Sequence, residues 1–185
     1  MEIRHTRTVG SCRVLGPDGE DVGSGDHVSY LKAEIENVLL VRWQTVTPSD
    51  VAAISAWIER VAARSDRPIA YAAVIPTDSP PPDGEARTAL LNGHHDIADH
   101  CATLRLVILG SGMRQALVRS VSAGFLLATG LKGKGFDIDD DFTKAVDAVA
   151  DKTGQPVARI LNAARDAGII LDRELPPSAV PARGA

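Results

Sequence analysis

The segment Leu31-Lys32-Ala33-Glu34-Ile35-Glu36-Asn37-Val38-Leu39-Leu40-Val41-Arg42-Trp43 decides how this chain is read. Leu31, Ala33 and Ile35 alternate with charged residues, the period of a strand with one covered face. Val38-Leu39-Leu40-Val41 is a continuous apolar run, which marks a strand covered on both faces. Glu36-Asn37 between them reads as the turn of an antiparallel hairpin.

Working outward, Thr47-Pro48-Ser49-Asp50 sets a capping hydroxyl before a proline at the first helical position, with Asp50 placed to answer the cap. Val51, Ile54, Ile58 and Val61 recur at helical spacing, so a helix is predicted over 48–64. The run 69–75 has the length and apolarity of a buried parallel strand. A helix over 85–101 follows, with Leu90, Leu91, His94, Ile97 and Cys101 on its apolar face, then a strand over 104–109. Met113, Leu117, Val121, Phe125 and Ala128 give the helix 113–129 the stripe of a helix laid on a sheet. Residues 135–138 suggest an edge strand, and two shorter helices are split at Gly154-Gln155-Pro156. This order predicts an α/β fold, a single mixed-sheet layer domain with an N-terminal β-hairpin and alternating β/α units. It divides the chain into an N-terminal extension 1–29, the domain 30–171 and a proline-rich flexible tail 172–185.

A net charge of −4 with both signs interspersed lacks the basic stripe that phosphate-backbone contact requires, so nucleic acid is not an expected partner. Cys12 and Cys101 are too few for a disulfide framework and fit a reducing compartment. Glu2, Arg4, His5 and Arg7 interrupt the start of the chain, and no apolar run approaches the ~18 residues of a spanning helix. A soluble, cytoplasmic protein without membrane insertion is the expectation.

Four clusters carry chemistry worth weighing. In His94-His95-Asp96-Ile97-Ala98-Asp99-His100-Cys101, the pairs His95/Asp99 and Asp96/His100 each share a helix side, but His94 and Cys101 fall on the apolar stripe. Metal is not expected there, and no cofactor is implied. Gly110-Ser111-Gly112 runs from strand into helix beside Arg114, where free amides and a guanidinium suit an anion; an N-cap with conformational glycines is the plainer reading. Asp137, Asp139, Asp140 and Asp141 suit helix capping better than a divalent cation. Arg42 and Arg105, inside strand patterns, are expected to project from an exposed face or a sheet end. The segment 76–84 contains Asp78, Ser79, Pro80, Pro81, Pro82 and Asp83, and its prolines exclude both ladder and helix. It reads as a stiff surface loop at the carboxyl end of a central strand, where ligands and partners dock on open α/β sheets.

The hairpin, the helix opening at Thr47-Pro48-Ser49-Asp50 and the alternating strands and helices resemble, over about residues 30–150, the STAS domains of anti-sigma-factor antagonists and related regulatory proteins. In that family an Asp-Ser pair often follows a central strand, and its serine is phosphorylated by a partner kinase; Asp78-Ser79 stands in a similar place. The family serine opens a helix, whereas Ser79 precedes three prolines. The resemblance implies a non-catalytic regulatory or scaffold module in bacterial signalling, acting through a protein partner or self-association. A small-molecule or anion-binding domain using Gly110, Ser111, Gly112 and Arg114 is the alternative. A small hydrolase using Ser79, Ser111 or a histidine–aspartate pair lacks a visible base and orienter.

Overall fold

A computed structural model describes residues 29–128, 130 and 135–177, so the expected extension, Ser29 apart, and the tail beyond residue 177 lie outside the described residues. Strands β1 (Tyr30–Ile35), β2 (Val38–Trp43), β3 (Ile69–Ile75), β4 (Cys101–Ile108) and β5 (Phe136–Asp139) form one mixed sheet in the order β1-β2-β3-β4-β5. The β1–β2 pair is antiparallel and every later pair is parallel. Helices α1 (Pro48–Ala62), α2 (Gly84–His100) and α3 (Met113–Ala128) are the crossovers, and α4 (Phe142–Thr153) and α5 (Val157–Asp166) follow β5.

Each crossover steps the same way across the sheet, and right-handedness therefore assigns all three connecting helices to one face. On that face Ile54, Trp57 and Ile58 of α1 and Ile97 of α2 share a core with Leu39, Val41, Tyr71 and Leu104. The opposite core joins Val38, Leu40, Ala72 and Val74 to Phe142, Val146 and Val149 of α4 and to Ile160 and Ala164 of α5. Because the connections never change face between neighbouring parallel strands, the sheet has no switch-point crevice of the kind that holds nucleotides in doubly wound folds.

The helix starts follow the expected chemistry. Thr47 accepts from the Asp50 amide while Asp50 accepts from the Thr47 amide, and Pro48 fills the first turn. Asp83 caps α2 through the Ala86 amide, and Asp141 caps α4 through the Thr143 amide.

Four expectations need correction. The hairpin alternation does not leave a wet face, because α1 covers it and buries Lys32 to 7% exposure. Helix α2 ends at His100 and Cys101 opens β4, where it pairs with Ile69, so Cys101 belongs to the sheet. Arg42 and Arg105 do not project freely. Arg42 is buried and grips Glu174 through both terminal nitrogens at 2.8 and 2.9 Å, and Arg105 grips Asp139 in the same forked way at 2.8 Å. The tail expected from Asp172 opens instead with a 3-10 helix, Asp172–Glu174, tied to the body by Arg42 and by burial of Leu175.

Candidate functional site

The loop after β3 is held by its own sequence and by β2. Pro76 accepts from the Ser79 amide in a tight turn, and the Ser79 hydroxyl donates to the Trp43 carbonyl at 2.8 Å. Pro80, Pro81 and Pro82 then restrict the chain as far as Asp83, which caps α2. Thr77, Asp78, Pro80, Pro81 and Asp83 are exposed, while Ser79 and Pro82 are half-buried. Beside this loop a shallow depression of about 560 Å³ runs between Pro48 at the start of α1 and Gly84, Glu85, Thr88, Ala89 and Asn92 on α2.

The same sheet edge carries the second candidate. Gly110 has φ +88°, and a Cβ on it would stand 2.6 Å from the Thr77 hydroxyl, so the glycine answers both a left-handed backbone and contact with the first loop. Gln115 donates to the Thr77 carbonyl, and Arg119 donates to the carbonyls of Ile108 and Gly110. Two segments read separately from the sequence thus meet at the carboxyl edge of β3 and β4. Gly110, Ser111 and Gly112 are exposed. The side chain of Arg114 lies outside the described residues, as do those of His94, His95 and Asp96.

The acidic run is divided among separate cations and a cap. Asp137 and Asp139 face Arg105, Asp140 meets Lys144, and Asp141 caps α4. The Lys144 ammonium holds the Asp140 carboxyl below its ordinary range. Among the described residues no three His, Cys, Asp or Glu side chains gather as metal ligands. Cys101 is buried and its thiol is pushed up to about 12 by loss of solvent, which suits a core residue and not a nucleophile.

Two polar groupings escaped the sequence reading. Lys32 lays its ammonium 5.5 Å from the Trp57 ring and 6.0 Å from the Tyr30 ring, and burial, assisted by Arg60, lowers its proton affinity. At the amino edge, Glu36 in the hairpin turn has φ +54° and meets Arg159, Arg67 and the Gln155 amide. Asn37 beside it bonds the Pro68 carbonyl and Gln155. No local spacing announces either grouping, because each is completed by residues far along the chain, Trp57 in one and Gln155 and Arg159 in the other. The aromatic content is a partial signal: both tyrosines and both tryptophans belong to the core between α1 and the sheet.

No helix among the described residues is long and apolar enough to cross a membrane. Comparison with protein-family models, with curated proteins and with solved structures gives no match.

Proposed function

We propose that this chain is a cytoplasmic, STAS-like regulatory module that does no chemistry of its own and works by binding a protein partner through loop 76–83 and the first turns of α2. The observation that carries this reading is the loop's preorganisation. Three prolines, the Ser79–Trp43 bond and the Asp83 cap fix it before any partner arrives, which lowers the ordering entropy of binding. The neighbouring depression gives a partner side chain a small apolar seat.

Ser79 supplies a means of regulation. Its hydroxyl hydrogen is the donor to the Trp43 carbonyl. Phosphorylation removes that hydrogen and sets a charge of about −1.5 to −2 beside a carbonyl oxygen and next to Asp78. The loop is then repelled from the end of β2, and an Arg-rich surface becomes the favoured contact in place of an acidic one.

The test compares proteins captured from native-cell extract by wild type, by Ser79→Asp and by a variant with residues 80–82 changed to Gly-Ser-Gly, each first shown to be folded. A partner retained by wild type and weakened by either loop variant supports the reading. The same partners with the same affinity on all three exclude this loop as the working surface and favour the anion reading at Gly110-Ser111-Gly112.

A further inference from the structure

Among its described residues, helix α3 turns an apolar side to water. Its exposed residues among those described are Met113, Ala116, Leu117, Ser120, Gly124 and Leu127, and they form one stripe at heptad-like spacing with no charged member. Met113 is 91% exposed, Leu117 64% and Leu127 61%. The sequence pattern had assigned Met113 and Leu117 to the sheet. Ordinary surface helices in this chain do the opposite: α4 exposes Lys144, Asp147, Asp151 and Lys152.

Gly124 adds an independent sign of close approach. A glycine inside a helix is destabilising unless something needs its missing side chain. In α2, Gly93 has such a reason, since a Cβ there would lie 2.9 Å from Val51 of α1, and the two helices pack through that gap. Among the described residues nothing lies within 4 Å of a Cβ on Gly124. With Ser120 and Ala116 one and two turns earlier, it forms a small-residue channel that no described residue fills.

We propose that this channel is filled by α3 of a second copy, in an antiparallel two-fold dimer centred on Ser120. A two-fold contact requires a patch complementary to itself. About Ser120 the stripe meets that condition: Met113 lies opposite Leu127, and Leu117 lies opposite Ala123, beside Gly124, so a large side chain enters the space the small ones leave. Antiparallel pairing sets the helix dipoles favourably, and an uncharged seam lets two copies of charge −4 approach without a like-charge contact at its centre. A single helix pair is at the small end of specific interfaces, so the dimer is a reversible, micromolar one. The proposal is independent of the loop 76–83 reading, which uses none of these residues.

The test is sedimentation of the full chain across the micromolar range. Wild type is expected to show a monomer–dimer equilibrium, and Leu117→Arg to weaken it about tenfold or more, with helical content and thermal unfolding unchanged. Met113→Glu and Leu127→Lys should each weaken the dimer, and the two together should restore it, because the introduced carboxylate and ammonium face each other only in the antiparallel register. A wild type that stays monomeric overturns the proposal and leaves the stripe to a foreign helix. A dimer indifferent to Leu117→Arg overturns the surface, and failure of the double variant to recover overturns the register.

Discussion

Helices α3 and α4 both carry apolar residues at helical spacing, yet only in α4 do the described residues bury that pattern. Phe142, Ala145, Val146 and Val149 are wholly buried, Thr153 bonds back to the Val149 carbonyl, and the outward face is charged. In α3 none of the described residues is buried, and the outward stripe is apolar or small. A periodic stripe establishes that a helix has an apolar side. Where apolar residues continue around the helix, as in Ala116-Leu117-Val118, periodicity no longer says which side is inside.

The largest expected effect tests that contrast directly. Phe142→Ala removes a ring with no exposure and should cost about 3–5 kcal/mol of unfolding free energy in urea. Leu117→Ala, measured where the monomer dominates, should change stability by less than about 0.5 kcal/mol. Equal losses at the two sites would mean that α3 is as much a core helix as α4.

Much of the fold was legible because local signals agreed. The hairpin, the Thr47 capping box, the apolar run 69–75 and the order of helices and strands all coincide with what forms. What was illegible depends on contacts between distant residues. Arg42 reads as an exposed strand cation until Glu174, far along the chain, closes on it. Lys32 reads as the wet side of a strand until α1 covers it. At the candidate site, the sequence placed loop 76–84 and Gly110-Ser111-Gly112 at strand ends, but the Ser79–Trp43 bond and the Gly110–Thr77 approach needed the sheet to bring them together.

A second difference between the two faces is that α4 and α5 share theirs with the Arg42–Glu174 pair. Removing Glu174 leaves a buried guanidinium held by the Ile169 carbonyl at 3.2 Å. Glu174→Ala should therefore cost roughly 2–3 kcal/mol, somewhat below a fully enclosed pair because Glu174 retains slight exposure. Arg42→Met combined with Glu174→Leu should recover most of the loss. No recovery would show that the pair orders the chain after α5 by geometry, beyond cancelling its own charge.

The glycines sharpen the comparison with opposite signs. Gly93→Ala gains about 1 kcal/mol of helix propensity but pushes a methyl to 2.9 Å from Val51, and overpacking of about 1–3 kcal/mol wins, for a net loss of about 1 kcal/mol. Gly124→Ala has open space and should stabilise the monomer by up to about 1 kcal/mol. Thermal unfolding at low protein concentration reads both, and a destabilised Gly124→Ala monomer would reveal an internal contact at α3.

The smallest expected effect lies where the α4–α5 turn meets the hairpin. Glu36 receives Arg159 and Gln155 at 2.6 Å, and these hydrogen bonds, with the Arg159 and Arg67 charges, hold its carboxyl below the ordinary carboxylate range. A carboxyl with a depressed folded pKa contributes stability that is complete above its unfolded value, about 4.3, and is lost as pH falls through the lower folded value. Glu36 is nearly half exposed, so water screens these pairs and the contribution should stay under about 0.5 kcal/mol at physiological salt. The measurement is the stability difference between wild type and Glu36→Gln from neutral pH down through the acid range, at low and high salt. The difference should shrink below pH about 4.3 and under added salt. A difference that survives both would assign the role of Glu36 to its left-handed turn and to the uncharged bond from Gln155, leaving the core contacts of Phe142 and its neighbours as what separates α4 from α3.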